Sequence, residues 1–358
     1  MMLFKKTIAA LAVLCLLIGL SVSAPAGARL VAQDKDKKAK KDKQEKPDKK
    51  EKKDKNKDNA DQSATVSDRE LHNVMWSEPS NIESLDLFNG LGGADGAPEP
   101  QGKFTFEKRV STGTSEKIRV KDDKGREWTV KFGPEAKPET AATRIVWAAG
   151  YHVDQDYFVK RTHIEGRGGF DVWDVRFERH DDGYKELGLW SWEANPFLGT
   201  RELQGLKVLM ALLNNWDLKV DNNKIVRPGK KSGGDRDTQV YYIADLGATF
   251  GSTGSFFAKL PFFGNAPAGT KGDPDAYAAQ AFIEGVKNGQ VVFHYKGKDP
   301  KALEGVTVDN ARWMGDLLGR LSDKQLADAF RAGGFTDAEI ITYVKATRGR
   351  INQLKNLK

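Results

Sequence analysis

The chain has 358 residues, 39% of them hydrophobic and 30% charged, with a net charge of +7. That apolar content supports a sizeable core and excludes a wholly disordered protein. The charge is uneven: residues 1–60 carry 16 Lys/Arg against 8 Asp/Glu, leaving 41 against 42 for the rest, and this near-neutral remainder argues against a basic nucleic-acid-binding domain.

The N-terminus has the pattern of an export signal. Lys5 and Lys6 form a positive start, Ile8 to Ala24 is apolar, and Ala26-Gly27-Ala28 offers small residues for cleavage. This predicts a signal peptide over 1–28 and a mature chain in the periplasm or outside the cell. The apolar run has 17 residues, short of the roughly 20 that span a bilayer; an uncleaved anchor is the alternative. Cys15 is the only cysteine, so no disulfide, cysteine zinc site or thiol nucleophile is available downstream. The five histidines show no metal-ligand spacing.

Residues 29–65 are expected to form a solvated tether, because 34–60 are nearly all Lys, Asp, Glu, Asn and Gln. Its 13 lysines suit a plain spacer, or weak contact with an anionic envelope or membrane surface. The globular part is expected as a β-rich half over 66–195 and a mainly helical half over 196–358. Gly90 to Gly96 is Gly-rich without a preceding strand and is expected to be a loop, not a dinucleotide fingerprint.

Strands are expected at Lys103–Val110, Glu116–Asp122 and Glu127–Phe132, with a tight turn at Asp123-Lys124-Gly125. A helix is expected from about Pro138 to Ala149. Phe170–His180 and Tyr184–Trp192 suggest a hairpin around Asp181-Asp182-Gly183. Thr200–Trp216 places Leu203, Leu206, Leu209, Met210 and Leu213 at helical spacing. Lys224–Arg227 and Gln239–Ala244 are short strands joined by the 228–237 loop. Ser322 with Gln325 and Thr336 with Glu339 open two final helices as capping boxes.

The most informative stretch is Asn215-Trp216-Asp217-Leu218-Lys219-Val220-Asp221-Asn222, followed after a strand pair by Asp245-Leu246-Gly247. With Thr129-Val130-Lys131 upstream, it resembles the protein-kinase-like superfamily, whose catalytic loop reads D-L-K-x-x-N and whose metal motif is D-F-G. The resemblance implies a two-lobed α+β fold, with a β-rich N-lobe and a mainly helical C-lobe. It implies ATP and Mg²⁺ or Mn²⁺. Asp217 would accept or orient the acceptor's proton and Lys219 would reach the transferring phosphoryl. Asn222 and Asp245 would offer oxygen to the metal. Lys131 would hold the α- and β-phosphates, paired with Glu139 or, second, Glu135, and Gly113 would lie in the nucleotide loop. Alternation along the strand puts Thr129 and Lys131 toward the cleft and Trp128, Val130 and Phe132 toward the following helix.

The chain departs from ordinary protein kinases in having Asn215-Trp216 for His-Arg, one glycine in the first loop, a wide gap from Asn222 to Asp245, and no A-P-E motif. These departures are closer to the atypical kinases: HipA-type toxins, spore-coat CotH kinases and secretory-pathway casein kinases. The function implied is an exported enzyme moving the γ-phosphoryl of ATP to a protein or glycan hydroxyl. The alternatives are a pseudokinase scaffold of the envelope or nucleotidyl transfer on the same fold. Trp190 and Trp192 fall where an interlobe hinge would lie and either line the base pocket or pack between lobes. Phe256-Phe257 and Phe262-Phe263 suit a lid or core anchors.

Overall fold

The computed structural model describes residues 72–358 apart from 112, 114, 181–182, 230–234, 236 and 255–267. The export signal, the Lys-rich tether and both Phe pairs lie outside the described residues, as does part of the 228–237 loop. After β1 (His72–Val74) and the single turn α1 (Gly93–Gly96) come β2 (Phe104–Val110), β3 (Lys117–Asp122), β4 (Glu127–Lys131), α2 (Ala136–Ala148), β5 (His152–Val153), β6 (Asp156–Glu165) and β7 (Phe170–His180).

Five of these strands close into a barrel in the order β2-β3-β4-β7-β6. Closure comes from a parallel contact of β2 with β6, at Phe104 opposite Ile164. Strand alternation sends Phe104, Ile118, Val120, Trp128, Val130, Val175 and Phe177 into the interior. The tight turn after β3 is built on Asp122, whose carboxylate accepts from the Lys124 and Arg126 amides at 3.1 and 2.7 Å. Gly125 supplies the positive φ of +77° that the turn needs. Asp122 also accepts from Trp128 Nε1 at 3.0 Å, which ties the turn to the barrel interior.

The apolar face of β4 therefore does not meet the following helix, as alternation alone suggested. Closure gives Trp128 and Val130 an interior of their own, and the opposite face, with Lys131, meets α2. The expected hairpin around Gly183 is also replaced. Strand β7 pairs with β4 and β6, so both its edges are taken. Strand β8 (Tyr184–Leu189) crosses instead to β9 (Asn223–Pro228). Strand β6 buries Tyr157 and Val159, then shifts phase at Lys160-Arg161 to bury Thr162 and Ile164, and no strand was expected there.

The second sheet runs β1-β10-β9-β8, with β10 (Thr238–Ile243) also pairing with β5. Helix α3 (Arg201–Leu212) starts at a Thr200 cap whose hydroxyl accepts from the Leu203 amide at 3.2 Å. It buries Leu203, Leu206, Leu209 and Met210 in the larger core. The short helix α4 (Pro274–Ala279) and the β11 (Ile283–Lys287) and β12 (Gln290–Phe293) hairpin precede α5 (Val308–Gly319), α6 (Asp323–Ala332) and α7 (Asp337–Lys355). Both capping boxes form, at Ser322 with Gln325 and at Thr336 with Glu339. The molecule is α+β: a β-rich lobe followed by a mainly helical one. Among the described residues no helix is long and apolar enough to cross a membrane.

Trp128 is 0% exposed and Trp173, on the barrel's outside, is 45% exposed. Trp128→Ala should cost about 3–5 kcal/mol in urea denaturation. Trp173→Ala should stay within about 0.5 kcal/mol. Equal costs would show that the barrel interior is misassigned.

Candidate active site

The lobes are joined at a buried ammonium. Lys131, at the end of β4, has a side chain only 3% exposed, and its Nζ lies 2.6 Å from Glu135 Oε2, 3.0 Å from Glu139 Oε2 and 3.5 Å from Asp245 Oδ1. Glu135 immediately precedes α2 and Glu139 sits in its first turn. Burial by itself would lower the Lys131 pKa, but Glu139 and Asp245 together raise it, so the ammonium stays charged. The ion pairs continue inward. Arg176 of β7 bonds Glu139, Asp156 Oδ2 at 3.2 Å and Glu178 Oε2 at 2.5 Å. Burial pushes the Glu139 carboxyl up, against the pull of Arg176 and Lys131. The oxygens of Glu135, Glu139 and Asp245 lie within 4.8 Å of one another. The Lys131 ammonium fills the space between them, so this acidic trio already holds its cation.

The loop after α3 places the second group. The helix ends at Leu212, short of the expected Trp216, because Asn214 adopts a left-handed φ of 52°. Arg350 of α7 holds that turn, donating to Leu212 O and Asn214 Oδ1, both at 2.8 Å. Trp216 is anchored by Nε1 to Thr270 O at 2.9 Å. Asp217 follows, with its Oδ2 3.0 Å from Lys219 Nζ and its Oδ1 3.2 Å from Lys298 Nζ. Asn222 Nδ2 donates to Asp217 O at 2.6 Å and closes the loop. Ala244 N donates to Asn222 O at 2.9 Å, which sets Asp245 beside Asn222.

Asp245 is 40% exposed, and its Oδ1 accepts from Gly247 N at 3.1 Å. A Cβ on Gly247 would lie 2.8 Å from the Glu135 Cβ, so glycine lets this loop close on the start of α2. Asp245 Oδ2 and Asn222 Oδ1 make no hydrogen bond among the described residues. Two free, hard oxygen donors on adjoining backbone fit Mg²⁺ or Mn²⁺. Gly113, at a φ of +80°, sits in the turn between β2 and β3. All seven residues singled out from the sequence (Gly113, Lys131, Glu139, Asp217, Lys219, Asn222 and Asp245) line one cleft of about 880 Å³. Trp190 and Trp192 do not. They pack against each other at 4.9 Å and donate to the carbonyls of Tyr242 and Leu218.

Sequence reasoning missed six cations of the cleft, Arg119 and Lys224 among them. Arg176 lies on β7, and Lys117 lies on β3 directly opposite Lys131. Lys271 bonds Glu135 and lies 5.1 Å from the Trp216 ring centre, while Lys298 lies 5.4 Å from it. Lys298 is seated by its amide, which donates to Trp216 O at 2.8 Å. Lys271 and Lys298 come from glycine-containing loops with no distinguishing spacing, so no local signal marks them.

Two lobes about a cleft, a buried strand lysine paired to a helix glutamate, and Asp217 and Asp245 on successive loops fit a two-lobed, protein-kinase-like fold. No family model and no curated protein sequence matches the chain. Among solved structures it is similar to the crystal structure of a Helicobacter pylori proinflammatory kinase, CtkA, with 12% identity over 70% of this chain and 91% of that one, and a TM-score of 0.37. The functional reading stands on the geometry of the cleft.

The Glu135 carboxyl gives a pH test. Burial would raise its pKa, but Lys131 and Lys271 hold it down from 4.5 to about 2. The folded state thus favours the anion, and the stabilisation is full above pH 4.5 and lost as pH falls toward 2. Glu135→Gln should cost on the order of 2–3 kcal/mol at neutral pH. The gap between wild type and variant, read by urea melts, should shrink across that window. A gap independent of pH would refute the ion pairing.

Proposed function

We propose that the protein is an exported, metal-dependent kinase-like transferase that moves the γ-phosphoryl of ATP to a hydroxyl of a protein or glycan. The observation that carries this reading is the convergence on one cleft of Lys131, paired to Glu139 and Asp245, with Asp217 and Lys219. The proposal of export rests on the N-terminal pattern of Lys5, Lys6, the apolar run and Ala26-Gly27-Ala28.

In this reading Lys131 holds the α- and β-phosphates, and its carboxylate partners fix it in place. Asp217 orients the acceptor hydroxyl and takes its proton as the new oxygen–phosphorus bond forms and the bond to the ADP leaving group breaks. Lys219 offers charge to the transferring phosphoryl. Asp245 and Asn222 would hold the metal, which neutralises phosphate charge when bound.

Transfer of labelled phosphoryl from ATP, to itself or to an added acceptor, is the direct test. Asp217→Asn should lower the rate by about 10²–10⁴-fold, the usual worth of a positioned base. Asp245→Asn should abolish metal-dependent transfer. Both substitutions keep the shape of the side chain, so circular dichroism should stay close to wild type, while Asp245→Asn should lower the melting temperature because it removes one carboxylate partner of the buried Lys131 ammonium. Full activity in either variant would overturn the assignment.

A further inference from the structure

If phosphates lie between Lys131 and Asp217, the rest of the donor must occupy the remainder of the cleft. That end is walled by Arg119, Thr129, Glu178, His180, Glu186 and Lys224. Each carries a charge or a hydrogen-bonding group. The strand register explains why: Arg119, Thr129 and Glu178 are cross-strand neighbours on the outer face of β3, β4 and β7, while the apolar residues of those strands point into the barrel. The opposite wall offers Lys224, whose Nζ lies 3.4 Å from Asp154 Oδ2. Among the described residues, the hydrophobic ones lining the cleft are Val110, Trp216, Ala244 and Ala248. Trp216 belongs to the Asp217 end, with Lys271 and Lys298 against its ring.

A base is selected by apolar or aromatic faces against its ring, with a few aligned polar groups at its edge. Among the described residues this cleft offers few such faces. Arg119 and Lys224 offer charged heads there rather than apolar side chains. Thr129 Oγ1 and His180 Nε2 already satisfy each other at 2.5 Å. The Arg119 Nε is buried without a hydrogen-bond partner, and Nη1 of the same side chain lies 3.7 Å from Glu127 Oε2.

The phosphate end is the reverse. Lys117, Lys131, Lys219 and Lys298 converge on it. Lys117 has no ion pair among the described residues, and its Nζ lies 3.2 Å from where a Cβ on Gly113 would be. Its ammonium is thus tucked under the β2–β3 turn, where a glycine-rich loop would otherwise cover phosphates with backbone amides. Charge-assisted contacts of this kind are strong and indifferent to what the phosphates are attached to.

We propose that the cleft holds its donor by the phosphate chain alone, with Lys117 standing in for the missing glycine loop, and that it does not discriminate the base. The inference rests on the functional reading above and specifies its donor: a triphosphate of any base, or inorganic polyphosphate. The test is calorimetric titration of the full chain with ATP, GTP, CTP and inorganic tripolyphosphate, each with Mg²⁺. The four dissociation constants should agree within about fivefold, and all should weaken together when salt is raised. Lys117→Met should weaken all four by a common factor of about ten. ATP binding about 30-fold tighter than the others would overturn base indifference and leave the kinase reading intact. Unchanged affinities in Lys117→Met would overturn the role of Lys117. Failure of all four ligands to bind would remove the kinase reading and this inference with it.

Discussion

A lysine ammonium removed from water has to be compensated on every side, and the architecture of this molecule follows from how Lys131 meets that demand. Its three carboxylate partners come from three places: the lead into α2, the first turn of α2, and the loop after β10. Satisfying one charge therefore fixes the barrel, the helix and the Asp245 loop against one another. Arg176 extends the same constraint, because Glu139 is shared between the two cations. Removing one member would strand a buried charge, which costs more than an exposed ion pair contributes.

The other side of the cleft is held mainly by hydrogen bonds to backbone carbonyls and amide side chains. Arg350 secures the end of α3, Trp216 is pinned to Thr270, and Asn222 closes the loop onto Asp217. Lys298 adds a contact from a segment about eighty residues downstream in the chain. Asp217 thus has both oxygens engaged by ammonium groups while the backbone beneath it is braced. Precision of this kind comes from supporting contacts rather than from the reacting residues themselves.

The cleft differs from the cores on either side of it. Strand alternation and barrel closure consume the apolar residues of β3, β4 and β7 in the interior, and the outer faces of the same strands become a charged wall. The mainly helical lobe likewise buries its aromatics, with Phe250, Tyr277, Phe330 and Tyr343 packed ring on ring. Among the described residues, charged and polar side chains therefore make up most of the cleft wall.

The sequence alone determined what depends on short range. Strand alternation at β2 to β4, the turn at Asp122 to Gly125, both capping boxes and the order of Lys131, Asp217, Asn222 and Asp245 are all legible, because each is set by neighbours a few residues away or by fixed motif spacing. Tertiary structure decided which edges the strands shared: β7 took β4 and β6 and left β8 to β9. It also decided that the apolar face of β4 looked into a barrel. And it brought Lys117, Arg176, Lys271 and Lys298 to the cleft from loops and strands where a lysine or arginine has no local mark. Those outcomes turn on pairing and charge compensation between residues far apart in the chain, and a local pattern carries no record of the distant partner that satisfies it.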